Sequence, residues 1–279
     1  MQRKKLQQNL IQTFEKFLIQ EEKSRATIEK YMRDIRCFYT FVNGRAVTKE
    51  ITVAYKAYLT ERYAPASVNS MLVALNVFLK FAGALDCCVK LLKVQRQIFC
   101  RADKHLTKAE FQRLVKAAGC TQISYVIQTI CATGIRVSEL QYITAEAVYK
   151  GKAMVSCKNK MRVIFIPGPL QILLKKYIKS NGVASGPIFV TKKGKPLDRS
   201  SVWRKMKALC DRAAVCAQKV FPHNLRHLFA RTFYELEQDI VRLADLLGHS
   251  SINTTRIYTV DTGNRHIRCL ERIQTELFT

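Results

Sequence analysis

Five side chains of this sequence could act together on a phosphodiester, namely Arg136, His223, Arg226, His249 and Tyr258. A guanidinium group presents a planar fork of N–H donors that matches two phosphate oxygens, an imidazole adds a donor or a proton shuttle, and a phenol can serve as nucleophile. No acidic cluster accompanies the two arginines to neutralise them. The residue types therefore indicate chemistry at a phosphate group.

His223 and Arg226 lie three residues apart in a stretch that begins at Pro222 and has a helical pattern. Residues at this spacing share one face of a helix, so the two side chains can reach one phosphate together, with His227 close by. Taken alone, this short motif is more typical of a structural His–Arg pair on a solvated helix. The catalytic interpretation depends on the rest of the set.

The phrases around the other residues give the set its specificity. They read Gly-Ile-Arg-Val-Ser-Glu-Leu around Arg136, Leu-Gly-His up to His249, and Thr-Thr-Arg-Ile-Tyr up to Tyr258, nine residues after His249. All five elements stand in the order, and at about the spacings, of the tyrosine recombinases. Over about residues 106–260 the sequence therefore resembles the phage-integrase family.

The resemblance implies a role for each side chain. Tyr258 would attack the scissile phosphate in line, leaving a 3′-phosphotyrosyl link and a free 5′-hydroxyl. Arg136 and Arg226 would bind the non-bridging oxygens, where negative charge grows in the transition state. His223 would accept or relay the tyrosine proton, and His249 would donate a hydrogen bond to the phosphate.

The family also implies a lysine in a hairpin turn that protonates the leaving 5′-oxygen. The turn here reads Cys-Lys-Asn-Lys from Cys157 to Lys160 and departs from the commoner Gly-Lys-Gly-Asn-Lys wording. Lys158 opens the turn and is the expected acid; Lys160 is the alternative, and either lysine could simply bind DNA. Glu139, one turn after Arg136, would support the site, unless it is only a charge on a helix surface.

No metal ion or nucleotide cofactor is expected. A phosphotyrosyl ester stores the energy of the broken bond, so a 5′-hydroxyl from another duplex can reseal it without ATP. The sequence has no G-x-x-x-x-G-K-[ST] or H-E-x-x-H motif and no acidic cluster of the kind that holds two Mg²⁺. Its ten cysteines and five histidines do not assemble into zinc spacing.

The charge of the chain indicates a polyanionic partner. Its 279 residues carry 47 Lys and Arg against 21 Asp and Glu, a formal net charge of +26. This favours nucleic acid over a merely soluble or ribosome-associated basic protein, although charge alone does not separate DNA from RNA. The cysteines are scattered without a C-x-x-C pair, and neither a signal peptide nor a membrane-length apolar run occurs, so a reduced, cytoplasmic protein is expected.

The order of the elements predicts a mainly α, two-domain DNA clamp. Residues 6–83 show four helical patterns, with Ser24 as N-cap of the second, Pro65 at the start of the fourth and Gly83 at its end. This bundle resembles the N-terminal core-binding domain of the recombinases, here residues 1–100, and its aromatic stripes are expected in the core rather than stacked on bases. Residues 84–105 lose the periodicity and predict a basic linker, either crossing a DNA backbone or forming a solvated hinge.

The second domain, residues 106–279, would be the catalytic one. A capping box of Thr107 with Glu110 predicts its first helix, with Leu106 and Phe111 as a hydrophobic staple. Helices continue to about residue 148, and Gly134 breaks one of them just before Arg136.

Two β-rich runs, Lys152–Cys157 and Arg162–Ile166, then predict a hairpin around a polar turn at 158–161. A short apolar run at 187–190 could add a strand. From 199 to 247 the pattern is helical again, with Pro222 in the first turn of the helix that bears His223.

A tail follows Tyr258 and carries one apolar face, formed by Ile267, Leu270, Ile273 and Leu277. The tail could fold back on its own domain. In the family, such tails dock on the neighbouring protomer in a ring of four. The resemblance therefore implies a homo-tetramer, assembled by tail exchange on double-stranded DNA with inverted-repeat core sites.

The function implied is that of a compact, Xer-like site-specific recombinase, which exchanges strands between two DNA sites through a Holliday junction. Integration or excision of a mobile element and resolution of dimers would use the same chemistry. Two alternatives stay open on the sequence. A type IB topoisomerase shares the chemistry but relaxes DNA without pairing sites, and a DNA-binding regulator would carry the site as a relic.

Overall fold

A computed structural model of the chain describes residues 8–93, 105–157, 160–249, 251–258, 271 and 273–275. The chain divides into two compact units, which meet in sequence between Arg96 and Gln97. Both units are mainly helical, and the strands described belong to one hairpin. Among the described helices, none combines the length and the apolar character needed to span a bilayer.

The first unit contains the four predicted helices. They are α1 Gln8–Gln20, α2 Arg25–Val42, α3 Lys49–Arg62 and α4 Pro65–Phe81. The Ser24 hydroxyl caps α2 by accepting a hydrogen bond from the backbone N–H of Thr27 at 3.3 Å. Pro65 occupies the first turn of α4, where its missing N–H costs nothing, so both predicted helix starts are confirmed.

The apolar stripes of these helices form the core of the first unit. Ile35 and Phe38 of α2, and Val68 and Phe78 of α4, are at most 1% exposed. The Phe78 ring meets the ring of Phe14 edge-on, with centroids 5.1 Å apart. The prediction that the aromatic residues pack inside the bundle is thus confirmed.

The stretch predicted as a linker is, as far as Leu92, part of the first unit. Two asparagines of α4 hold an extended strap, residues 88–92, through paired hydrogen bonds. Asn76 donates to the Val89 carbonyl at 2.8 Å and accepts from its N–H at 2.9 Å, and Asn69 does the same with Leu92 at 3.0 and 2.7 Å. Each asparagine amide binds both the N–H and the carbonyl of one strap residue, which a neighbouring β-strand would otherwise do. Residues 94–104 lie outside the described part.

The second unit is built mainly of helices around a hairpin. Its α-helices are α5 Lys108–Ala118, α6 Gln122–Thr133, α7 Ala145–Lys150, α8 Gly168–Ser180, α9 Arg199–Lys207, α10 Cys210–Ala213, α11 Pro222–Glu237, α12 Ile240–Leu247 and α13 Ile252–Thr255. Short 3-10 helices span Val137–Tyr142, Ala217–Lys219 and Arg256–Tyr258. The predicted capping box at Thr107 is present, with both of its hydrogen bonds to and from Glu110.

The predicted hairpin is confirmed, with a tighter turn. Strands β1 Lys152–Cys157 and β2 Lys160–Phe165 pair antiparallel, Cys157 opposite Lys160. Lys160 and Met161 belong to β2 rather than to the turn. The run at 187–190 makes only isolated bridges, from Pro187 to Thr144 and from Val190 to Pro196, so the additional strand is not formed.

Helices α6 and α11 pack closely and set the geometry of the site. Gly134 ends α6 in the left-handed region, at φ +65°. A Cβ at this position would stand 2.5 Å from the Phe229 ring of α11, and only glycine allows both this φ and this approach. The Arg136 phrase therefore begins where the two helices meet.

Of the predicted tail face, Ile267, Leu270 and Leu277 lie outside the described residues. Ile273, which is described, is 48% exposed. The docking of the tail stays a prediction.

Candidate active site

Arg226 is the centre of the site, on α11 at the end of α6. Its side chain is 1% exposed. Nη1 donates to the Gly134 carbonyl at 2.6 Å and Nη2 to the Leu247 carbonyl at 2.7 Å. Burial and the charge of Arg136 lower the pKa of Arg226 to about 10, an effect that the nearby Tyr258 side chain opposes. Arg226 is thus cationic at neutral pH, and no ion pair to it occurs among the described residues.

His249 is held between Arg226 and a buried threonine. Its Nε2 lies 3.0 Å from Nη2 of Arg226, and its Nδ1 lies 2.8 Å from the Thr255 hydroxyl. Because a guanidinium can only donate, Nε2 must accept and Nδ1 carries the proton. Burial and the charge of Arg226 lower the pKa of His249 to about 4, so the ring is neutral at pH 7. In this state Nε2 accepts a hydrogen bond from Arg226, and the hydrogen bond from His249 to a phosphate stays a prediction.

Tyr258 lies next to Arg226 of the same chain. It ends the 3-10 helix after α13 and is 4% exposed. Its ring stands edge-on to that of His227, with centroids 4.8 Å apart, and stacks on His249 at 6.1 Å. Its hydroxyl is near enough to the Arg226 guanidinium to raise the pKa of that arginine. The structure thus brings together the predicted nucleophile, one predicted arginine and His249.

Arg136 is tied to Glu139, one turn further on. Arg136 Nη1 donates to Oε1 of Glu139 at 2.9 Å, and its backbone N–H donates to Oε2 at 2.7 Å. Arg136 keeps 39% of its side chain exposed, whereas that of Glu139 is 1% exposed. Burial alone would raise the pKa of Glu139, but these hydrogen bonds and the charge of Arg162 outweigh it and hold the pKa below its ordinary value. Glu139 is therefore not a surface charge.

His223 lies on the exposed side of α11, with its ring centroid 4.6 Å from that of His227. Partial burial, followed by the charges of Arg226 and Arg136, lowers the pKa of His223. The charges of both arginines thus disfavour protonation of this imidazole. Lys158, and the side chain of Lys160, lie outside the described part of the chain, so the choice of catalytic lysine stays a prediction.

The sequence analysis does not identify two residues of the site. Thr255, fully buried, fixes the His249 ring, and Arg162 of β2 donates from Nη2 to Oε2 of Glu139 at 2.6 Å. The alternation of β2 carries a signal for Arg162, because it shares the inward side of the strand with Ile164 and Ile166, both 3% exposed. Over the described residues, no three His, Cys, Asp or Glu side chains group so as to hold a metal ion.

Two half-buried imidazoles, those of His227 and His249, make the second unit sensitive to acid. Burial, aided by His223, His105 and Arg226, lowers the pKa of His227 to about 3, and that of His249 is about 4. Unfolded histidines titrate near pH ~6.5, so below that pH the unfolded chain binds more protons than the folded one. Stability should therefore fall as the pH drops from about 6.5 to about 4.

Urea unfolding at a series of pH values measures this loss. The His227→Gln variant removes one of the two groups and should show a flatter dependence over the same range. Equal slopes for the variant and the wild type would contradict the assignment of a neutral His227 in the folded state.

Comparisons with known proteins agree with this geometry. Residues 104–265 match the phage integrase family, and residues 11–84 match the N-terminal SAM-like domain of phage integrases. The tyrosine recombinase XerA of Pyrococcus furiosus is 30% identical over 284 residues, which cover 98% of this chain and 96% of that protein.

Two solved structures share the architecture. The crystal structure of XerA recombinase aligns with 95% of this chain and 98% of its own, at a TM-score of 0.53 and 27% identity. A lambda integrase tetramer bound to a Holliday junction aligns with 90% of this chain and 76% of its own, at a TM-score of 0.73 and 18% identity, which shows the fold. The chain thus belongs to the phage integrase family and is a site-specific recombinase of the tyrosine type.

Proposed function

We propose that this chain cuts and rejoins double-stranded DNA through a 3′-phosphotyrosyl intermediate on Tyr258. The observation that carries the proposal is that the Tyr258 ring stacks on His249, whose Nε2 lies 3.0 Å from Nη2 of Arg226, a buried guanidinium that is not neutralised by any described carboxylate. A phosphate bound at Arg226 would lie next to the Tyr258 oxygen that attacks it. Such preorganised donors stabilise the charge that develops on the non-bridging oxygens.

The steps balance with groups of this chain. Tyr258 Oη forms a bond to phosphorus, the bond from phosphorus to O5′ breaks, and Lys158 supplies the proton to O5′. The phenol proton needs an acceptor as the bond from Tyr258 Oη to phosphorus forms. His223 is the proposed acceptor, since its lowered pKa keeps it neutral and its position on α11 is exposed to substrate. Arg136, oriented by Glu139, is the second guanidinium on the phosphate.

The partners proposed are DNA with inverted-repeat core sites and three further copies of the chain. The net charge of +26 supports a polyanionic partner. The fold shared with a lambda integrase tetramer on a Holliday junction supports strand exchange in a four-membered assembly. We propose that the C-terminal tails are exchanged between neighbours in it. Integration, excision and dimer resolution are alternative uses of the same steps.

A nicked duplex tests this function. A binding site is first selected from a random DNA pool and sequenced, and a nick is then placed near the cleavage position so that the short 5′-hydroxyl strand diffuses away. We expect a covalent protein–DNA adduct, and recombinant products from two intact sites. Relaxation of a plasmid that lacks the site would point to topoisomerase activity, and a bound but never cleaved site would point to a regulator; either result overturns the proposal.

A further inference from the structure

Arg162 connects three parts of the second unit that carry predicted catalytic residues. It is the third residue of β2 and faces inward with 13% of its side chain exposed. Nη2 donates to Glu139 at 2.6 Å, and Nη1 donates to the carbonyl of Leu246 at the end of α12. Both terminal nitrogens are therefore engaged within the protein.

The first connection determines where Arg136 can lie. The Glu139 carboxylate accepts hydrogen bonds from Arg136 on Oε1 and, with its other oxygen, from the Arg136 backbone and from Arg162. A carboxylate that is 1% exposed has no solvent to replace a lost donor. Without Arg162, the hydrogen bonds described for Glu139 all come from Arg136. The carboxylate then has no independent anchor and cannot fix the position of the Arg136 guanidinium.

The second connection leads to His249. A Cβ placed on Gly248 would stand 2.5 Å from Cδ of Arg162, so the arginine stem lies directly against the backbone that precedes His249. Gly248 also has a φ of +63°, which suits glycine. Leu246, whose carbonyl accepts from Arg162, is the neighbour of Leu247, whose carbonyl accepts from Arg226. Arg162 and Arg226 thus bind consecutive carbonyls at the end of α12.

We propose that Arg162 is a positioning residue, which fixes Arg136 through Glu139 and fixes the His249 loop through the Leu246 carbonyl. The geometry distinguishes its role from that of a simple positive charge. A lysine retains the charge but has a single nitrogen, which cannot reach Glu139 and Leu246 with the planar fork that both contacts need. The proposal rests on the proposed cleavage chemistry, since it concerns the groups that bind the scissile phosphate.

The test compares Arg162→Lys with the wild type in single-turnover cleavage of the nicked duplex. Cleavage should be about 10–100-fold slower, because a shift of about 1 Å in a group that binds the reacting centre has effects of this order. DNA affinity should change less than about threefold, since only 13% of the Arg162 side chain is exposed. Arg242→Lys is the matched control: Arg242 lies on α12 with its side chain 65% exposed and should cleave as the wild type does.

A second substrate separates positioning from a general loss of structure. A methylphosphonate at the scissile position removes one non-bridging negative charge, so cleavage depends less on Arg136. The deficit of Arg162→Lys should therefore shrink at least severalfold on this substrate. A purely structural defect would slow both substrates equally. Measurements are made at a temperature at which circular dichroism shows all variants to be fully folded.

The outcomes separate the two proposals. If the wild type binds its site but forms no adduct, the proposed function fails and Arg162 has no cleavage to support. If the wild type cleaves and Arg162→Lys cleaves equally fast, or its deficit is the same on both substrates, the positioning role alone is overturned.

Discussion

Tyr258→Phe should abolish the covalent adduct and leave the fold and the DNA affinity intact. The substitution removes one oxygen, and the phenyl ring can still pack between the rings of His227 and His249. Arg226 retains its acceptors at Gly134 and Leu247, so we expect the stability of the folded state to change little.

Two readouts check this variant. Adduct formation on the nicked duplex should fall below detection, and the midpoint of urea unfolding should move only slightly. Tyr234→Phe, on α11, is the matched tyrosine control and should form the adduct as the wild type does. An adduct with Tyr258→Phe at any appreciable rate would show that another residue is the nucleophile.

Arg226→Lys should have the second largest effect, slowing cleavage by about 10²–10³-fold, the range found when one preorganised donor to a developing oxyanion is removed. Lysine keeps the charge but loses the fork that reaches Gly134, Leu247 and His249 at 2.6, 2.7 and 3.0 Å. At least one buried carbonyl then lacks a donor. The expected destabilisation is about 1–3 kcal/mol for each such group.

Single-turnover cleavage and urea unfolding measure the two parts of this effect separately. Arg242→Lys again serves as the exposed control. If Arg226→Lys loses stability but cleaves at the wild-type rate, Arg226 is a structural arginine and the phosphate is bound elsewhere.

Local sequence patterns were sufficient to predict most of the helices. Ser24, Pro65 and the Thr107–Glu110 capping box mark helix starts through contacts within one turn, which a sequence shows directly. The site residues were found because Arg136, His249 and Tyr258 sit in phrases of recognisable order. Of the predicted site residues, the structure brings Arg226, His249 and Tyr258 together.

The rest depends on contacts between distant parts of the chain. Arg162 meets Glu139 across 23 residues and Leu246 across 84, and no local periodicity encodes either contact. The strap at 88–92 has no helical or alternating pattern, because its order comes from Asn69 and Asn76 on another element. The tautomer of His249 follows only once Arg226 and Thr255 are seen on its two nitrogens.

The position of the covalent bond tests the central claim most directly. The adduct formed on the nicked duplex is digested with nuclease and trypsin, and the nucleotide-bearing peptide is sequenced by mass spectrometry. Cleavage after Arg256 and Arg265 releases residues 257–265, a peptide with Tyr258 as its one tyrosine. We predict that the nucleotide is attached to this peptide through Tyr258. A nucleotide on any other residue would contradict the account.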